Sequence, residues 1–320
     1  MINLKLTRWI AVASLTWIIG YTFNRYTDPE VQWIKSIYEQ KVERASSSKD
    51  PIRLLILGGS GTHFGVDALQ IEQELDIPVF NMGLHAGLGL NAIMASVSDE
   101  IRSGDILLLI PEYEILGLKG TGPFASSFAA ATNQPGLGGF GLEQTVKEIM
   151  LMGVPGSDRI VQSIKRLQRS LYFIHGANTS TNKTRTKSYS RHLDNIDEQG
   201  NPLRLPSGNP TPTSFENSIS EHNLRHLKVF RRNIEGAGAK LVLGLPWLFS
   251  TNDEQCLQNV QSITNNLSEI APVLYEEDFN LKTDPTLFGD SVYHLSHKGR
   301  ELRSSALSKQ LQKILNEDQP

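Results

Sequence analysis

One cysteine, Cys256, stands in 320 residues. A lone thiol excludes an internal disulfide framework and any cysteine-rich metal site. Neither sign of charge dominates: 31 Lys and Arg face 34 Asp and Glu, a formal net charge of −3. Such a balance advertises no basic surface, so nucleic acid is not an expected partner. Glycine (26) and proline (15) are too few, and too irregularly placed, for a collagenous or low-complexity chain. There is no GxxxxGK[ST] motif, and the GGSG at Gly58 to Gly61 is not GxGxxG, so no nucleotide loop and no cofactor are expected. What is present is a 39% hydrophobic chain long enough to fold on its core alone, as one large domain or one domain with an elaboration.

Long apolar runs are scarce, but one lies near the start. Residues 9–24 (WIAVASLTWIIGYTFN) carry no charge, with Lys5 and Arg8 before them and Arg25 after. As a helix these 16 residues span about 24 Å, short of a hydrocarbon layer of about 30 Å. Snorkelling basic side chains would close that gap. Three readings stand: an uncleaved membrane anchor, a cleaved signal peptide and a buried helix, with the anchor preferred because no small-x-small cleavage site follows the apolar run. Lys5 and Arg8 put the N-terminal end in the cytoplasm, and so the rest of the chain in the periplasm or an equivalent space.

Residues 1–27 are thus read as anchor or signal segment, and 28–50 as a helical stem and linker. Asp28-Pro29-Glu30 has the form of an N-cap, a first-turn proline and a first-turn acid. Val31, Ile34, Ile37, Tyr38 and Val42 follow at helical spacing, up to the linker Ser46-Ser47-Ser48.

The body alternates strand and helix. Runs at 52–57 (IRLLIL), 105–110 (DILLLI) and 240–245 (KLVLGL) have the continuous apolar character of strands buried on both faces, with shorter strands at 78–81 and 272–275. Helical patterns cover about 64–75, 90–102, 220–235, 253–270 and 298–315. This order predicts an α/β fold: a flavodoxin-like parallel sheet with helices on both faces, built from 51–118 and 216–316. Between them, 119–215 is of another texture, rich in Gly, Ala, Ser and Pro, then polar. It is read as a long insertion after the third strand, over the carboxyl edge of the sheet, with helical patches near 144–151 and 159–172.

Two segments carry chemistry. In LILGGSGTHFGVDA (55–68) a buried strand runs into Gly58-Gly59-Ser60-Gly61 and then a helix. Ser60 thereby sits where glycines permit a sharp turn and where helical amides, that of Gly61 among them, face an oxyanion, a place for a nucleophile. A tight turn of no catalytic consequence is the alternative. The second segment, FGDSVYHLSHKGRELRS (288–304), precedes the last helix. Serine catalysis needs a base and a group to orient it, and His294 and Asp290, four apart, fit those roles. His297 is the competing base; no acidic or cysteine partner completes a metal site with either histidine, and none is expected.

Together these segments resemble the SGNH/GDSL hydrolase superfamily. Gly58-Gly59-Ser60 is similar to its first block, G-D-S, with Gly59 in place of Asp. Asp290 to Gly299 is similar to its last block, D-x-x-H-L followed by a glycine, with the Asp one residue further away. The resemblance implies Ser60 as nucleophile, His294 as base and Asp290 as orienting acid. Asn81-Met82-Gly83-Leu84-His85-Ala86-Gly87 is similar to the second block, N-x-G-x-x-G, but one residue longer. It implies an oxyanion donor at Gly87, with Gly83 second. The third block, G-x-N, is replaced by Ile110-Pro111-Glu112-Tyr113-Glu114; Glu112 and Glu114 are candidate substrate-binding residues, or simply a polar strand exit. The plan of anchor plus large insertion is similar to extracytoplasmic proteins that acetylate alginate or serve D-alanine transfer to teichoic acid.

The resemblance implies an extracytoplasmic serine esterase or O-acyltransferase acting on an acylated polysaccharide or another envelope substrate, with a membrane-bound acyltransferase as a possible partner. The rival reading is an SGNH-fold interaction or assembly protein of the envelope with little or no catalysis.

Overall fold

The computed structural model describes residues 4–26, 28–120, 122–134, 146, 149–153, 196–214, 218–251 and 253–317. Its contacts divide the chain into two units. One comprises Met1–Lys35, Ser126–Gly136 and Phe140–Leu193; the other comprises Ser36–Ala125, Leu137–Gly139 and Asp194–Pro320.

The larger unit is an α/β domain. Strands β1 (Leu54–Gly58), β2 (Val79–Asn81), β3 (Ile106–Ile110), β4 (Lys240–Gly244) and β6 (Val273–Leu274) form one parallel sheet in the order β2-β1-β3-β4-β6. That order reverses direction between β1 and β3, which opens a crevice at the carboxyl ends of those two strands. Every residue of β1 and β3 is buried. Alternate side chains point to opposite faces, so both faces of the sheet are covered. On one face Leu54, Ile56, Ile106 and Leu108 pack with α4 (Ala68–Leu75) and α10 (His297–Glu317) through Ile71, Leu75, Leu307 and Leu311. Helices α5 (Gly89–Ala95), α8 (Glu221–Gly236) and α9 (Glu254–Ser268) also flank the strands.

The helix starts follow local chemistry. Ser220 accepts the amide of Asn223 to cap α8, and Asp253 that of Cys256 to cap α9. The single helix expected over 64–75 is two: α3 (Ser60–Gly65) ends, and Asp67 caps α4 by accepting the Gln70 amide at 3.3 Å. The helix expected to 102 stops at Ala95, where the Ser96 hydroxyl bonds back to the Ile93 carbonyl. A two-stranded sheet of β5 (Leu248–Phe249) and β7 (Leu281–Lys282), and the short helix α6 (Tyr113–Gly117), were not anticipated.

The segment read as stem forms one helix. Helix α2 (Pro29–Ser47) begins behind Asp28, whose carboxylate accepts the amides of Glu30 and Val31. From Ser36 onward it belongs to the α/β unit, with Lys41 fully buried there. Arg53, at the foot of β1, is also fully buried. Its guanidinium pairs with Asp105 (2.9 and 2.7 Å) and donates to the carbonyls of Ala45 and Glu100.

In the smaller unit, α1 (Leu4–Tyr26) packs its second half on Ala129, Ala130 and Met152 of α7 (Ala125–Thr132) and the 149–153 segment. Trp17 stacks on Tyr21, and Asn24 donates to the Met152 carbonyl at 2.7 Å. Among the described residues no helix is long and apolar enough to cross a membrane. Helix α1 has 23 residues, but Thr7, Ser14, Thr16, Thr22 and Asn24 interrupt its apolar character, so the expected spanning segment finds no support here. Most of the expected insertion, including its patch at 159–172, lies outside the described residues. Its return segment is described: Gln199 accepts the Asn81 amide at the edge of β2, and Pro206 and Gly208 lie against Gly289 and Asp290.

Candidate active site

The crevice between β1 and β3 is where the chemistry-bearing segments meet. Strand β1 ends at Gly58, and no other residue fits there: a Cβ would lie 2.0 Å from Thr62 Oγ1 and 2.4 Å from the Ile110 carbonyl oxygen. The same Thr62 hydroxyl donates to that carbonyl at 3.0 Å, clamping the start of α3 to the end of β3. Ser60 is the first residue of α3 and is half-buried. Neither its amide nor its hydroxyl is hydrogen-bonded to any described residue.

Asp290 and His294 are held by a closed loop. The Gly289 amide donates to the His294 carbonyl at 2.7 Å, and Phe288 bridges Leu295. Inside this loop the Ser291 hydroxyl accepts the amides of Tyr293 and His294 at 3.3 and 3.1 Å. That tight turn absorbs the extra residue between acid and histidine. His294 Nδ1 lies 2.7 Å from Asp290 Oδ1. Leu295 is buried and packs with Trp247, Phe249 and Phe288. His297 is exposed at the start of α10, outside the pair.

The loop runs along α3. Tyr293 and Leu295 lie beside Gly61 and Gly65, and the His294 ring packs 4.8 Å from that of Phe64. Phe64 is one helical turn beyond Ser60, on the same face. His294 therefore sits along the face of α3 that begins with Ser60.

The three glycine amides expected as oxyanion donors are all engaged by side chains. Gly61 donates to Glu112 Oε1 at 2.7 Å, Gly83 to Asn81 Oδ1 at 3.0 Å, and Gly87 to His85 Nδ1 at 2.9 Å. The 83–87 loop does lie against the Ser60 turn: the Leu84 amide donates to the Gly58 carbonyl, and a Cβ on Gly59 would sit 2.8 Å from Ala86 Cα. As folded, however, none of the three presents a free N–H.

Glu112 is not a surface residue waiting for substrate. It is 2% exposed, and its second oxygen accepts the Gly59 amide at 3.1 Å. Burial pushes its carboxyl above the usual range, against the opposing pull of the Gly61 and Gly59 amides. Glu114 is exposed on α6.

Beneath this turn is a polar cluster that sequence reading missed. Lys41 Nζ donates to the Gly83 carbonyl (2.6 Å) and to Asn81 Oδ1 (3.3 Å), and lies 3.0 Å from His63 Nδ1. The Asn81 amide group donates to the carbonyls of Thr62, His63 and Val66, so it closes the end of α3. Burial pushes Lys41 well below the usual lysine range; burial, then the Lys41 charge, does the same to His63. A lysine at a helical interval in an amphipathic segment gives no sign that it will be buried.

Among the described residues no group of three or more His, Cys, Asp or Glu is placed to hold a metal ion. The sequence matches no protein-family model, and no curated protein is significantly similar to it.

Proposed function

We propose that this chain is a serine esterase or O-acyltransferase of the cell envelope, with Ser60 as nucleophile, His294 as base and Asp290 as the group that orients it. The observation that carries this reading is the 2.7 Å Asp290–His294 contact set along the α3 face that starts with a serine hydrogen-bonded to no described residue. Asp290 holds Nδ1–H, which leaves Nε2 to take the Ser60 proton as Oγ attacks an acyl carbonyl. The donor's acyl–oxygen or acyl–sulfur bond breaks as His294 returns that proton to the departing alcohol or thiol, and the acyl group then passes from Ser60 to water or to a sugar hydroxyl. In the transfer case, a membrane-bound acyltransferase supplies the acyl group. Attachment to a membrane through α1 belongs to the same proposal. Trp9, Ile10, Val12, Leu15, Ile18 and Ile19 are all exposed, on every side of the helix. The hydroxyls of Thr16 and Thr22 bond to carbonyls one turn back, which lowers their penalty in an apolar medium. Lys5 and Arg8 place the N-terminus inside and the α/β domain outside.

One observation favours a second reading, an envelope interaction or assembly protein on this fold: the engagement of the Gly61, Gly83 and Gly87 amides leaves little of an oxyanion hole. A fluorophosphonate probe separates the two. Labelling of the wild type, lost in Ser60→Ala and His294→Ala, is expected; a folded wild type that does not label sinks the enzyme.

A further inference from the structure

We infer that Glu112 is the positioning residue of the Ser60 turn: reaching across from the end of β3, its carboxylate replaces the side chain that residue 59 lacks and fixes the backbone that aims the serine hydroxyl. This rests on the reading of Ser60 as nucleophile. A turn containing Gly58, Gly59 and Gly61 has little conformational preference of its own, so something outside it must define its shape. Glu112 does so at two points. One carboxylate oxygen accepts the Gly61 amide at 2.7 Å and the other the Gly59 amide at 3.1 Å, so the residues on either side of Ser60 are both tied to one group. Bonds of this charge-assisted kind are stronger than neutral ones. The site is also dry enough that water does not easily replace a lost partner, since Glu112 is almost fully buried.

Space makes the arrangement exclusive. A Cβ on Gly59 would fall 2.5 Å from both carboxylate oxygens of Glu112. Any larger residue at 59 and a carboxylate at 112 compete for one volume. Glu114, two residues on, is exposed.

The test uses the full chain and three variants, Glu112→Ala, Glu112→Gln and Gly59→Ala, with fluorophosphonate labelling rate, acetate addition and amide hydrogen exchange as readouts. Folded Glu112→Ala is expected to label about tenfold or more slowly than wild type, because a misaimed nucleophile loses orientation. Acetate, small enough for the vacated space, is expected to restore the rate, and acetamide is not. Gly59→Ala is expected to slow labelling as well. A folded Glu112→Ala that labels at the wild-type rate overturns the inference. Should Glu112→Ala fail to fold, Glu112→Gln decides: it keeps the shape but turns a donor toward one amide, and a wild-type rate in it overturns the inference. If wild type itself does not label, the enzyme reading fails separately. The positioning role is then read from exchange of the Gly59 and Gly61 amides, which faster exchange in the variant supports and unchanged exchange refutes.

Discussion

The Arg53–Asp105 pair joins three elements at the foot of the sheet, and its removal tests the fold without reference to catalysis. The two side chains are 0% and 1% exposed, so solvent screening is no discount. Arg53→Met removes both bonds to Asp105 and the partners of the Ala45 and Glu100 carbonyls. Asp105 is left buried with the Arg102 amide, 2.8 Å away, as its remaining named donor. Breaking a buried pair this way costs about 3–5 kcal/mol. The stranded Ala45 carbonyl, whose bond to Arg53 is buried, raises that to about 5 kcal/mol, since an unmade buried bond costs about 1 kcal/mol or more. At about 2–4 °C per kcal/mol, the melting temperature should fall by about 15 °C. Asp105→Asn keeps an acceptor and the shape but leaves the buried Arg53 charge without its counter-charge, and should cost about 3–5 kcal/mol as well. The double variant leaves no unpaired charge and should fall short of the sum of the singles by about 2 kcal/mol. Thermal and urea melts of the four proteins measure this. A midpoint within about 3 °C of wild type for Arg53→Met, or strict additivity in the double variant, would refute the reasoning.

Four further outcomes are expected. His294→Ala should slow fluorophosphonate labelling by about 100-fold or more, while His297→Ala, exposed and outside the pair, should leave most of it; equal losses in a rate assay would contradict that assignment. Gly83→Ala should destabilise by about 2 kcal/mol or more, because its Cβ would lie 2.4 Å from the His63 backbone nitrogen. Gly236→Ala meets nothing within 4 Å and should be neutral or slightly stabilising in the same urea melts. Lys41 has a folded pKa well below 10.5, so the unfolded chain binds the extra proton and stability should climb as pH rises from that folded value toward 10.5. Urea midpoints between pH 7 and 9.5 should show this climb in wild type relative to Lys41→Met; parallel curves would show that burial does not neutralise the lysine.

The architecture was legible where one physical requirement dominates. IRLLIL, DILLLI and KLVLGL read as strands because a strand covered on both faces must be apolar throughout, and they are β1, β3 and β4. The charged residues near the start of the first two runs, Arg53 and Asp105, carry no signal of their own pairing. They meet because Leu54 pairs with Ile106, a register set by the whole sheet. The break at Asp67 was available as an N-cap but was masked by helical periodicity on either side. β5 and β7 are two residues each, too short to carry a period. At the site, the four-residue spacing of Asp290 and His294 was readable because it is local. The occupants of the glycine amides were not, since Glu112 and Gly61 are 51 residues apart and only the β1–β3 pairing brings them together.

The wide interval between β3 and β4 has a consequence in time. β3 ends at Ile110 and β4, its neighbour in the sheet, begins at Lys240. A ribosome adding about 5–20 residues per second needs on the order of 10 s to cross that interval. During it the nascent chain can assemble β2, β1 and β3, with the fully apolar ILLLI strand as an open edge. An open apolar edge is a template for pairing with other chains. The half-built sheet therefore stays open to mispairing at β3 until KLVLG arrives to cover it.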